Sequence, residues 1–138
     1  MTFDAYEKKL GGSFISTLPE EVARYQADEY CSFVCSYNFY RGFFDGLKRI
    51  YKKKSLDGID RRLPILLLSG TDDPVGKMGK GVKKLEEMYR SLGCKDVSCV
   101  LLKGTRHEYL NDKDGVLARE TIFDFINRVS VSSDGRDR

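Results

Sequence analysis

Two short apolar runs, each closed by a glycine and separated by one stretch of helical periodicity, constrain this chain more than any other feature. Ile65-Leu66-Leu67-Leu68-Ser69 ends at Gly70, and Val97-Ser98-Cys99-Val100-Leu101-Leu102-Lys103 ends at Gly104. Short runs with apolar residues at consecutive positions predict strands buried on both faces. Between them Met78, Val82, Leu85, Met88 and Leu92 recur at helical spacing, interleaved with Lys83, Lys84, Glu86, Glu87 and Arg90. Gly93 supplies the stop. A strand, a crossover helix and a second strand in one sheet form a right-handed βαβ unit with parallel strands. A last helix is expected to carry Ala118, Ile122, Phe125, Ile126 and Val129 on one face. Residues 61–129 therefore read as βαβα and the fold class as α/β, with a polar, disordered tail expected over 130–138.

Residues 1–60 show no convincing strand and read as helices joined by loops. Thr17-Leu18-Pro19-Glu20 matches the S/T-x-x-E capping box and predicts a helix over 19–27, with proline tolerated in its first turn. A break is expected over 28–32. Phe39, Phe43, Leu47 and Ile50 then form a helical apolar stripe, with Gly42 and Gly46 inside it. Each glycine costs up to about 1 kcal/mol of helix propensity against alanine, so this helix is expected to need packing or a ligand surface. Lys52-Lys53-Lys54 is expected to end it, at the negative end of the macrodipole.

Composition removes several function classes. At 138 residues the length fits one domain, and a net charge of +3 is too small to argue for nucleic acid binding. No apolar run approaches the roughly 18 residues of a membrane span. Met1-Thr2-Phe3-Asp4-Ala5-Tyr6-Glu7 has neither the basic start nor the apolar core of a signal peptide, so a cytoplasmic location is expected. Cys31, Cys35, Cys94 and Cys99 are spaced C-x3-C and C-x4-C, without the C-x2-C knuckle of common zinc sites. They are expected to be free thiols, and no metal or cofactor is expected. His107 is the only imidazole.

Chemistry in parallel sheets sits at the carboxyl ends of the strands. The loop starting at Gly70 carries Asp72 and Asp73, and the loop starting at Gly104 carries His107, 34 residues beyond Asp73. A carboxylate beside an imidazole fixes its tautomer and stabilises the imidazolium formed when the ring takes a proton. Spacing alone fits equally well an Asp and a His on unrelated surface loops. A phosphate-loop reading of Gly70 to Lys77 fails in detail. Five residues instead of four separate Gly70 from Gly76, and Met78 stands where a Ser or Thr should hold magnesium.

The strings themselves go further. Leu66-Leu67-Leu68-Ser69-Gly70-Thr71-Asp72-Asp73-Pro74-Val75-Gly76, with Gly79-Lys80-Gly81-Val82-Lys83-Lys84-Leu85, resembles the acid-bearing segment of the α/β-hydrolase superfamily. The nearest branch is that of serine-aminopeptidase/lysophospholipase and monoacylglycerol-lipase-like hydrolases. Leu101-Leu102-Lys103-Gly104-Thr105-Arg106-His107-Glu108-Tyr109-Leu110-Asn111-Asp112 resembles that branch's histidine segment, a strand followed by G-x-R-H-E-x-L-N. Glu20-Glu21-Val22, Tyr25 and Cys31-Ser32-Phe33 resemble, more weakly, its helical lid. The resemblance implies a partial α/β-hydrolase fold in which a lid-like region, residues 1–60, precedes the βαβα part. It implies Asp73 as triad acid, with Asp72 second for that role, and His107 as general base. The implied reaction is hydrolysis of a carboxylic ester, such as a monoglyceride or lysophospholipid, through an acyl-serine.

One departure is large. The family's order is Ser, then Asp or Glu, then His, with the Ser in a G-x-S-x-G elbow, and no such string occurs here. Gly11-Gly12-Ser13-Phe14-Ile15 lacks the second glycine and follows Lys8, Lys9 and Leu10 instead of an apolar strand, which makes Ser13 a poor nucleophile candidate. The chain is therefore expected to be the C-terminal portion of a serine hydrolase and inactive alone. It would be completed by an N-terminal chain, or would self-associate through an open strand edge. The alternative is a non-catalytic interaction module derived from a hydrolase. Phe3, Phe14, Phe33, Phe39, Phe43 and Phe44 supply more aromatic surface than so small a sheet can use, and in the family they would line an acyl-binding lid.

Overall fold

The computed structural model describes residues 3–31 and 33–134. The side chain of Phe3 and the whole of Ser32 lie outside the described residues. Both apolar runs are strands, β1 over Ile65–Gly70 and β2 over Val97–Leu102. They pair in parallel with Ile65 opposite Val97 and Gly70 opposite Leu102. The Ile65 N–H donates to Asp96 O at 2.8 Å and the Thr71 N–H to Leu102 O at 2.9 Å, bracketing the ladder. In a parallel ladder this parity turns the N–H and C=O of Leu67 and Ser69 towards β2. Those of Leu66 and Leu68 point to the other edge, where the described sheet has no third strand. Val97 and Leu102 on β2, Cys94 just before it and Ala118 near the start of the last helix are buried, whereas Leu66, Leu67 and Leu68 are half-buried.

The crossover helix, α5, spans Lys80–Ser91 and starts two residues later than the Met78 stripe predicts. Lys77, Met78 and Gly79 are successively left-handed (φ 53°, 55° and 78°), so Met78 belongs to a tight turn and not to the helix. The turn is closed by the Met78 N–H on Asp73 O at 2.7 Å and the Gly81 N–H on Gly76 O at 2.9 Å. The last helix, α6, spans Gly115–Asp134. It continues through 130–134, where a disordered tail was expected, because no glycine or proline interrupts the chain before Gly135. Residues 135–138 lie outside the described residues.

The first half is helical, with α1 over Phe3–Leu10, α2 over Pro19–Ala27, α3 over Tyr37–Ile50 and a short α4 over Lys53–Asp57. α2 has the expected bounds, but its capping box does not form. Leu18 occupies the N-cap without a side-chain bond, and Thr17 Oγ1 donates to the buried carboxylate of Asp112 instead. α3 is capped by Ser36 Oγ, which accepts the Phe39 N–H at 3.2 Å. Its apolar stripe forms as periodicity predicts, but it stays largely exposed. Phe39 and Phe43 stack on each other with centroids 6.2 Å apart and are each about half exposed. The lysine run does not close α3, which ends at Ile50. Lys53 and Lys54 open α4, where Lys53 Nζ meets Asp57 Oδ2 one turn on at 2.7 Å, offsetting the unfavourable charge at a helix start.

Candidate active site

Both candidate loops leave the carboxyl ends of the parallel strands, and they lie against each other because of one glycine. A Cβ on Gly70 would stand 1.9 Å from Thr105 O, so any other residue would force the loops apart. With that space free, the Asp72 N–H donates to Thr105 O at 3.0 Å and the Gly104 N–H to Thr71 Oγ1 at 2.8 Å. The result brings Asp73 and His107 together, with Asp73 Oδ2 3.2 Å from His107 Nδ1. The carboxylate is buried, its side chain 8% exposed, while the imidazole is 41% exposed. Asp73 Oδ1 accepts the Val75 N–H at 2.8 Å, and Ser69 Oγ lies 3.4 Å from Oδ2. Asp72 turns elsewhere, its Oδ1 accepting from Thr71 Oγ1 at 3.0 Å.

The electrostatics of the pair are mutually reinforcing. Burial pushes the Asp73 carboxyl up, but the hydrogen bond and charge of His107 and the N–H groups of Val75 and Gly76 outweigh it, leaving the acid below its ordinary range. The Asp73 hydrogen bond holds His107 above the ordinary imidazole value, against desolvation and with help from the charges of Asp73 and Glu108. A buried carboxylate therefore faces the ring from one side, which favours the neutral tautomer with its proton on Nδ1 and leaves Nε2 as the acceptor.

Sequence reasoning missed the residues that hold the histidine loop. The stretch over residues 10–18 runs beside it, with the His107 N–H on Phe14 O at 3.1 Å and the Glu108 N–H on Ile15 O at 2.9 Å. The Phe14 ring sits 6.0 Å from the imidazole. The Arg106 guanidinium binds the carbonyls of Leu10 at 2.9 Å, Ser16 at 3.1 Å and Ser13. Asp112, 5% exposed, accepts from Thr17, Ser16, Lys113 and the Arg106 N–H. The available signal was the pair of charged residues flanking His107 in so short a loop. The carbonyls that the Arg106 side chain binds, 90 to 96 residues earlier, were not readable.

Ser13 makes a local turn, its Oγ accepting the Ile15 N–H at 3.2 Å. The four thiols are unpaired. Among the described residues no three His, Cys, Asp or Glu side chains gather as metal ligands would, and no helix is long and apolar enough to cross a membrane.

Known proteins resemble this chain in sequence and in fold. The family model of the serine aminopeptidases, S33, matches residues 4–114, from α1 through the histidine loop. A highly thermostable carboxyl esterase from Bacillus coagulans, solved in complex with glycerol, superposes with a TM-score of 0.74 at 28% identity, over 83% of this chain and 37% of its own. A lipase solved in an open form superposes with a TM-score of 0.77 at 27% identity, over 92% of this chain and 43% of its own. No curated protein matches. The chain thus spans less than half the length of either solved structure, and what it shares with them is a partial α/β-hydrolase fold. With the family model covering both strands and both candidate loops, the chain belongs to the S33 serine aminopeptidase family of α/β hydrolases.

Proposed function

We infer that Asp73 and His107 are the acid and the general base of a serine hydrolase site for carboxylic esters with an apolar acyl chain, a monoglyceride or lysophospholipid. The observation that carries this reading is the 3.2 Å contact between a buried carboxylate and a half-exposed imidazole on adjacent strand-end loops. Nε2 takes the proton of an attacking serine hydroxyl and returns it to the leaving alcohol, while Asp73 holds the ring and stabilises the imidazolium between those steps. The aromatic side chains of α3, exposed as they are, suit an acyl chain.

The nucleophile comes from outside these residues. No G-x-S-x-G elbow is present, and Ser13 is engaged in its own turn. A complementing N-terminal segment of an S33 hydrolase, laid along the free edge of β1, supplies it. The chain alone is inactive and cytoplasmic, in keeping with its unpaired thiols. The test pairs the chain with such a segment and follows a short-chain p-nitrophenyl ester and a serine-directed fluorophosphonate. Hydrolysis is expected only in the mixture, and Asp73→Asn is expected to lower kcat by about four orders of magnitude, as tautomer control is lost. Turnover by the chain alone, labelling of Ser13, or an unaffected Asp73→Asn mixture overturns the assignment.

The exposed aromatic face of α3 also favours a second reading, a non-catalytic module that binds through this surface. A mixture that binds tightly, yet never hydrolyses ester, selects it.

A further inference from the structure

Three consecutive amides carry the imidazole into place, and each has a defined acceptor. The N–H of His107 goes to Phe14 O and that of Glu108 to Ile15 O, at 3.1 and 2.9 Å. The N–H of Arg106, the residue immediately before His107, goes to Asp112 Oδ2 at 2.7 Å. The other oxygen of the same carboxylate, Oδ1, accepts the Thr17 N–H at 2.9 Å, the Thr17 hydroxyl, the Ser16 hydroxyl at 3.2 Å and the Lys113 N–H at 2.8 Å. One buried side chain thus ties the histidine loop to itself and to the stretch whose Phe14 and Ile15 carbonyls hold the next two amides. It also diverts Thr17 from capping α2. A satisfied carboxylate at this depth is costly to bury and needs all these donors. They, led by Thr17, hold its acid form below the ordinary range against burial.

We propose that Asp112 is a positioning residue for His107. By gripping the N–H of Arg106 with one oxygen and residues 16 and 17 with the other, it keeps the imidazole within reach of Asp73. The inference deepens the reading of Asp73 and His107 as a catalytic pair and rests on it. No neutral side chain of the same size can replace this carboxylate. In Asp112→Asn one of the two positions becomes an NH2 donor, facing either the Arg106 N–H or the Thr17 and Ser16 donors. One side of the grip is then lost.

His107 is the chain's only imidazole, so its ring nitrogens can be followed without assignment ambiguity. The experiment is a pH titration of the ring by 15N NMR on the full chain, in wild type and in Asp73→Asn, Asp112→Asn and Thr17→Val, with far-UV circular dichroism recording the fold of each. Wild type is expected to show the neutral ring protonated on Nδ1 and a midpoint above the ordinary imidazole value. Asp73→Asn is expected to abolish both features. Folded Asp112→Asn is expected to move the midpoint down and mix the tautomers, although Asp73 is intact. Thr17→Val, which removes one donor and leaves the carboxylate, is expected to do the same to a smaller extent and stands in if Asp112→Asn does not fold. A wild-type ring without the Nδ1 proton overturns the pairing with Asp73 itself. A paired wild-type ring that titrates unchanged in folded Asp112→Asn, or in Thr17→Val where only that variant folds, overturns the role of Asp112 alone.

Discussion

At the scale of single residues, the Asp73–His107 contact ties the site to stability. His107 has its folded pKa raised above 6.5, so its contribution is complete below that value and is lost as pH rises through the raised one. Asp73 has its folded pKa lowered beneath 3.8, so its contribution is present above 3.8 and is lost as pH falls through the lowered one. Both act together between 3.8 and 6.5. Asp73→Asn is therefore expected to cost most stability inside that window and progressively less above it, as urea unfolding at a series of pH values reads directly. A loss that is flat with pH excludes an ionic pair. Gly70 makes a sharper case. A Cβ 1.9 Å from Thr105 O cannot be absorbed by a side-chain rotation, since the obstacle is backbone. Gly70→Ala is expected to cost about 3 kcal/mol or more in urea unfolding and to break the Asp73–His107 contact with it; a cost under about 1 kcal/mol would show that the loops have room. Asp73 and His107 were legible because each lies in a strand-glycine-loop string that local pattern can read. Asp112 was not, because its meaning lies in Ser16 and Thr17, some 95 residues earlier.

Elements show the same division between local and distant causes. The strands and α5 follow from hydrophobic patterning within a few residues, and their bounds differ from expectation by one or two positions. Where the sequence misled, a distant partner or a missing one was responsible. Thr17-Leu18-Pro19-Glu20 is a sound capping box in isolation, but a buried carboxylate is a stronger acceptor for Thr17 than a helix end is a donor set. The stripe of α3 has the right period, yet its residues stay about half exposed. Propensity therefore matters in α3. An added Cβ at Gly42 or at Gly46 meets nothing within 4 Å. Gly42→Ala and Gly46→Ala are each expected to raise stability by about 0.5–1 kcal/mol, the reverse of Gly70→Ala, if α3 unfolds together with the rest. Hydrogen exchange of the α3 amides checks the premise. If α3 frays independently, the substitutions slow its own exchange and leave β1 unaffected.

On the scale of the whole molecule, the proposed completion by another chain turns on the free edge of β1. Two parallel strands form a marginal sheet, and an apolar edge strand attracts another chain. The ladder's parity makes the occupancy of that edge measurable. In the chain alone at low concentration, the amides of Leu67, Ser69 and Thr71 face β2 and are expected to be protected from exchange, while those of Leu66 and Leu68 exchange freely. Adding the nucleophile-bearing segment of an S33 hydrolase is expected to protect Leu66 and Leu68 and remove the alternation. The same addition is expected to slow exchange around His107, whose loop lies at the carboxyl ends of these strands. Self-association gives a different signature, with protection of the same two amides rising with the concentration of the chain alone and tracked by sedimentation. Leu66 and Leu68 that stay exposed under both conditions rule out strand addition on either route. Any completion must then proceed through the aromatic face of α3, where Phe39 and Phe43 already meet water.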